Sequence, residues 1–115
     1  STFLVLPEKG ARLLNWHVNM GDGSVRDVIF WPEEADNQNL ASVHGGIPIL
    51  FPFCGTCSHQ GEKGKWRAQD GNVYQMPQHG FAQNASFRVR SMDQAGFEVE
   101  MVHEEAWKNF YPGHL

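Results

Sequence analysis

The chain has only two cysteines, Cys54 and Cys57, in 115 residues, too few for the disulfide framework that holds many small secreted domains together. Positive charge is scarce as well. Nine Lys and Arg against thirteen Asp and Glu give a net charge of −4 and a pI near 5.8. The basic residues are scattered, whereas nucleic-acid affinity rests on clustered Lys and Arg, so no nucleic-acid partner is expected. No apolar run approaches the roughly 18 residues of a membrane-spanning helix, and no membrane partner is expected either. The opening Ser1-Thr2-Phe3-Leu4-Val5-Leu6-Pro7 has no basic region and too short an apolar run for a signal peptide. A cytoplasmic setting is the expectation. Helical periodicity is nearly missing: only Glu104 to Phe110 has a helix-like pattern, about two turns long.

What is present is apolar, aromatic and turn-rich. With 41% hydrophobic and 12% aromatic residues, the composition suits a globular core, and the length suits one domain over residues 1–115. Thr2 to Leu6 and Ala11 to Met20 read as strands around the turn Pro7-Glu8-Lys9-Gly10. In the second, Leu14, Trp16, Val18 and Met20 recur at every other position, as one face of a strand does. Gly21-Asp22-Gly23 turns the chain toward Val25 to Trp31, a predicted antiparallel partner. Pro32 to Asn39 is acidic and polar and reads as a loop. Phe87, Val89 and Ser91 alternate with Arg88, Arg90 and Met92. Asp93-Gln94-Ala95-Gly96 then turns into Phe97, Val99 and Met101, which alternate with Glu98 and Glu100. This hairpin sets Arg88 and Arg90 opposite Glu98 and Glu100 on an outer face. The pattern predicts an all-β, antiparallel fold.

The most informative stretch runs from Gly45 to Phe87. It opens Gly45-Gly46-Ile47-Pro48-Ile49-Leu50-Phe51-Pro52-Phe53-Cys54-Gly55 and closes Met76-Pro77-Gln78-His79-Gly80-Phe81-Ala82. Gly80 lacks a Cβ, so backbone or ligand can approach His79 closely. Pro77 fixes φ just upstream and cannot donate to a ladder. Between the two segments, Ser58 to Tyr74 is rich in Gly, Lys, Gln and Asp and reads as a long loop. Trp66 within it has two readings: an anchor for the loop, or apolar cover for a sugar face.

"GGIPILFPFCG" followed by "MPQHGFA" resembles the aldose 1-epimerase (mutarotase) family, and within it the branch related to hexose-6-phosphate epimerases. The resemblance is tight over Gly45 to Phe87 and looser from Phe3 to Leu115. It implies an antiparallel β-sandwich more than twice this length, of which the chain would be the N-terminal portion. Phe110-Tyr111-Pro112-Gly113-His114-Leu115 then falls where the family's chain enters its next core strand. The rest of the sandwich, or a second copy of this chain, is the expected cover for the sheet edges and apolar face that an isolated portion leaves open.

The implied activity interconverts the α and β anomers of a hexose. A base takes the proton of the anomeric hydroxyl and an acid protonates the ring oxygen, so no cofactor or metal is expected. Histidine suits the acid role because it titrates near neutral pH, and the family has a pocket histidine at the position of His79. Its second histidine and its glutamate, which carry the main proton transfers, belong to the later half of the fold. The chain alone is therefore expected to be inactive. Gln78, with a donor and an acceptor, suits a pair of hydroxyls. His44 and Gln83 stand where the phosphorylated-sugar branch tends to have arginine, whose planar fork suits phosphate. That substitution predicts a preference for an unphosphorylated hexose, unless Lys63, Lys65 or Arg67 supplies the charge. Trp66 and Arg67 complete the expected sugar-binding set.

Two further functions remain open at this level. One is a carbohydrate-binding or interaction module that keeps the pocket wall without the acid–base pair. The other is a small zinc or thiol protein built on Cys54-Gly55-Thr56-Cys57 with His59. The second lacks the other ligand pair of a closed zinc site and the βαβ setting of a redox motif, so free thiols are expected. Glu33-Glu34, Glu62, Asp70 and Glu104-Glu105 are expected to be solvated, since adjacent carboxylates do not face each other on a helix or a strand.

Overall fold

A computed structural model describes residues 1–113; His114 and Leu115, with which the expected entry into a further strand ends, lie outside the described residues. Strands β1 (Thr2–Leu6), β2 (Arg12–Asn19) and β3 (Val25–Asp27) form one antiparallel sheet in the order β1-β2-β3. Its first turn is a 3-10 segment, Pro7–Lys9, closed by Gly10 at φ 75°, a left-handed conformation that costs glycine nothing. The β2–β3 pairing sets His17 opposite Asp27.

Here β3 stops earlier than the predicted Val25 to Trp31. The Asp27 carboxylate accepts the Trp16 N–H at 3.1 Å and the Ile29 N–H at 3.0 Å. A side chain thus takes the place of the next ladder bond and turns the chain out of the sheet.

The expected long loop from Ser58 to Tyr74 is instead four short strands. These are β4 (Ser58–His59), β5 (Glu62–Lys63), β6 (Lys65–Arg67) and β7 (Val73–Gln75), paired as β4 with β5 and β6 with β7. The glycines that suggested a loop are hairpin turns. Gln60 at φ 49° and Gly61 at φ 80° form the two-residue connection between β4 and β5, the pair of positive φ values that matches strand twist.

Strands β8 (Phe87–Met92) and β9 (Phe97–Met101) form the expected second hairpin. A register shift between Val89 and Ser91 sets Glu98 opposite Ser91 and leaves Glu100 to both arginines. Arg88 Nε donates to Glu100 Oε2 at 2.8 Å and Arg90 Nη1 at 3.2 Å. The helix-like Glu104 to Phe110 is a five-residue 3-10 segment, Glu105–Asn109. All strand pairings between named strands are antiparallel. Among the described residues no helix is long and apolar enough to cross a membrane.

The core is small and lies toward the C-terminal half. Met76, Phe81, Ala85 and Trp107 are buried together, with Phe53, Cys57, Trp66, Phe87, Met101, Phe110 and Tyr111 packed against them. Phe81 and Trp107 meet edge to face at 4.3 Å. The N-terminal sheet and the segments beside it are far less covered: Val25 is 60% exposed in β3, and Phe30 and Ile47, next to the sheet, are 72% and 55% exposed. The chain is extended, with a radius of gyration of 16.9 Å against about 13 Å for a compact domain of this length. Its accessible surface of 7976 Å² likewise exceeds the roughly 6,300 Å² expected of a compact monomer of this mass. The fold leaves apolar surface that a closed sandwich buries.

Candidate functional site

The two halves of the Gly45-to-Phe87 motif meet through their backbones. Phe51 and Gly80 form an isolated bridge, and the Phe51 carbonyl accepts N–H bonds from Phe81 at 2.9 Å and Ala82 at 3.2 Å. Gly80, at φ 77°, lies so close that a Cβ there would overlap the Phe51 carbonyl and come within 2.7 Å of Pro52 N. The sequence needs glycine here because two backbones, not a side chain and a backbone, are in contact. The Phe51–Pro52 peptide is cis, and the Phe51 ring contacts Phe81 and Tyr111 edge-on at 6.0 and 5.9 Å.

This junction positions His79. The residue is half-buried and sits at φ 65°, in the turn closed by the Gly80 N–H donating to the Pro77 carbonyl at 2.9 Å. Its own N–H donates to the Gly55 carbonyl at 2.7 Å, and the Gly55 N–H donates back to His79 Nδ1 at 2.9 Å. Backbone and imidazole are thus both tied to one residue of the Cys54-Gly55-Thr56-Cys57 turn. Gln83 joins the same turn, its side-chain amide donating to the Gln78 carbonyl at 3.1 Å, while Gln78 itself is exposed.

The Gly45-Gly46 end is held from the other side. Leu13 and Ile47 exchange both backbone bonds, at 3.1 and 2.8 Å, and Gly46 N–H donates to Phe30 O at 2.8 Å. Arg12, only 3% exposed, donates through Nη1 to the Val43 carbonyl at 2.8 Å and the Gly45 carbonyl at 3.1 Å. Burial lowers its pKa from the usual guanidinium value, because desolvation disfavours the charged form. The two carbonyls flank His44, so Arg12 braces the loop that presents His44, whose own side chain is exposed.

Trp66 is an anchor. Its Nε1–H donates to the Phe110 carbonyl at 2.8 Å, its ring stacks on Tyr111 at 5.5 Å, and it meets Phe53 at 5.2 Å. Its polar edge is used within the fold, and a face of the ring that could have covered a sugar is stacked on Tyr111. Arg67 follows it on β6 and is exposed. Nearby, the Tyr74 hydroxyl donates to Asp70 at 2.5 Å. That bond lowers the Asp70 pKa and raises that of Tyr74. Lys65 is drawn to Glu62 in an ion pair.

Cys54 and Cys57 are free thiols, the first exposed and the second half-buried against the core. Among the described residues no group of three or more His, Cys, Asp or Glu side chains gathers as a metal site. Arg12 and Gly55 are the site residues that sequence reasoning missed. A lone arginine between Ala11 and Leu13-Leu14 was a signal for the first. Gly55 acts through its backbone, and no side-chain pattern could reveal it.

The aldose 1-epimerase family profile matches residues 3–115. A protein of Escherichia coli (strain K12) named "Putative glucose-6-phosphate 1-epimerase" is 25% identical over 108 residues, which cover 90% of this chain and 31% of that protein. The crystal structure of the Slr1438 protein from Synechocystis sp. PCC 6803 superposes with a TM-score of 0.75 at 24% identity, over 96% of this chain and 36% of that one. At that identity the likeness is one of fold. The chain spans about a third of the length of either relative.

Proposed function

The chain belongs to the aldose 1-epimerase family, and we propose that residues 1–115 form one unit, the N-terminal portion of a mutarotase-like β-sandwich that supplies one wall of a hexose pocket. His79 faces the sugar at the reacting end. Gln78, Gln83 and His44 offer hydrogen bonds to hydroxyls, and Arg67 offers charge at the rim. Trp66 serves this wall from behind, by holding β6 against Phe110 and Tyr111.

Mutarotation opens the hemiacetal ring and closes it on the other face. One group removes the anomeric hydroxyl proton while another hydrogen-bonds or protonates the ring oxygen, and no cofactor takes part. The observation that carries the reading is the two-point attachment of His79 to Gly55, at 2.7 and 2.9 Å. It fixes an imidazole where the two motif halves meet, as a reacting group requires. The acid–base pair that completes the reaction belongs to the part of the fold that this chain does not span.

Polarimetry of fresh α-glucose tests the proposal. The 115-residue chain alone gives the buffer rate, while a protein carrying the whole sandwich accelerates the change and loses most of that rate in His79→Ala. A full-length protein with no effect on the anomer exchange of glucose, galactose or glucose 6-phosphate overturns the epimerase reading in favour of a binding module.

Two observations pull in opposite directions on the substrate. The E. coli relative is named for a phosphorylated sugar. In this chain His44 and Gln83 stand where the resemblance implies arginine, Gln83 is engaged with Gln78, and Lys65 is paired with Glu62. On the residues, the proposed substrate is an unphosphorylated hexose. Losing one charged hydrogen bond to phosphate costs about 1.5–3 kcal/mol. Parallel titrations of glucose and glucose 6-phosphate decide it, and tighter binding of the phosphate moves the assignment to Lys63 or Arg67 as its partner.

A further inference from the structure

We propose that His79 meets the sugar as a neutral Nε2–H hydrogen-bond donor, its tautomer set by the Gly55 backbone, and that it is not the group that hands over a proton. This rests on the pocket assignment above and sharpens it.

The chemistry is fixed by one bond. A backbone N–H can only donate, so the Gly55 N–H at 2.9 Å from His79 Nδ1 requires a lone pair on that nitrogen. In a neutral imidazole the ring proton then sits on Nε2. A second proton on Nδ1 would point at the Gly55 N–H, so the ring takes it only by giving up that bond. Full transfer of the Nε2 proton from the neutral ring would leave an imidazolate. The locked ring therefore stabilises negative charge developing on a sugar oxygen by hydrogen bonding, in the manner of an oxyanion donor. The proton that reaches that oxygen comes from elsewhere.

The lock is rigid on both sides. His79 N–H returns a bond to the Gly55 carbonyl at 2.7 Å, so ring and backbone of residue 79 are held by the two polar groups of one peptide neighbour. The left-handed φ of His79 is kept by the turn to Gly80, and Gly80 is pressed on Phe51. Gly55 has φ 103° with nothing within 4 Å of a would-be Cβ. Its glycine identity answers a backbone need, the aiming of its N–H, and not a lack of room. Gly55 is in this sense a positioning residue.

The test reads the ring directly. Nitrogen-15 NMR of the histidine-labelled chain at neutral pH, with His79 assigned among the six histidines by its loss in His79→Gln, should give a pyridine-type Nδ1 and a proton-coupled, pyrrole-type Nε2. The reverse tautomer, or two pyrrole-type nitrogens, overturns the lock whatever the protein's activity. Glutamine can place an N–H near the Nε2 position but cannot act as an acid. In the full-length protein His79→Gln should keep the mutarotation rate within about tenfold, while His79→Ala loses about a hundredfold or more. Equal losses in both variants overturn the donor role. The expected tautomer in a full-length protein without mutarotation would leave the lock standing and remove the epimerase reading, so the two failures are distinguishable.

Discussion

The junction of Phe51 with Gly80 and the hairpin of β8 with β9 each bring two segments of chain side by side, by opposite means. At the junction the contact is backbone on backbone: one carbonyl serves two N–H groups, a glycine is pressed against it, and the Phe81 and Trp107 rings close over the core behind. In the hairpin the outer face is held by side chains in water, with Glu100 taking both Arg88 and Arg90. Close backbone contact admits no substitute, because nothing can relax. Exposed ion pairs tolerate change, because water replaces what is lost. The region with the least tolerance is the one that positions His79.

That contrast can be broken at four places, in falling order of effect. Gly80→Val is expected to remove more stability than any other single change, above about 4 kcal/mol, since the new side chain overlaps the Phe51 carbonyl and demands a left-handed φ of a β-branched residue. Urea unfolding checks it, and a variant that unfolds at the parental midpoint would mean the two segments are not in contact. Trp107→Ala follows, at about 3–5 kcal/mol, because Trp107 is 7% exposed and lies against Phe81. The same denaturation series measures it.

Arg12→Met keeps an apolar stem but abandons the Val43 and Gly45 carbonyls. We expect a loss of about 1–3 kcal/mol, with amide hydrogen exchange accelerating at Gly46 and Ile47 before the rest. Unchanged exchange there would show that the Gly45-Gly46 loop does not depend on Arg12.

Glu100→Gln is the smallest. The Arg88 hydrogen bond is the largest influence on Glu100 and holds its carboxyl below the usual range. Its contribution is therefore present above the ordinary carboxylate pKa and lost as pH falls through the depressed folded value. Melting curves of parent and variant should differ slightly at neutral pH in low salt. They should converge in acid and in high salt.

Much of this was legible in the residues. Period-two patterning placed β2, β8 and β9, the apolar run after Thr2 placed β1, and the glycine pair, the prolines and His79 marked the candidate site. The errors share one cause. Val25 to Trp31 is cut short by a side-chain oxygen of Asp27. The stretch from Ser58 to Tyr74 was read as a loop because its strands are two or three residues long, too short for any pattern to register. Glu98 lost its arginine to a bulge. Each is a matter of individual hydrogen bonds, which periodicity does not count.

The sequence by itself determined the antiparallel β class, the place where the chain needs glycine, and the histidine that stands in the turn beside it. These follow from local constraints: side chains that alternate, a missing Cβ, a ring fixed at proline. Only the tertiary structure decided that Gly55 orients His79, that Arg12 braces the Gly45-Gly46 loop, and that Trp66 faces inward to Phe110. Those partners lie 24, 33 and 44 residues apart in the chain. Two of the three acceptors are backbone carbonyls and the remaining donor is a backbone N–H, groups that every sequence carries and that only folding brings to a particular place.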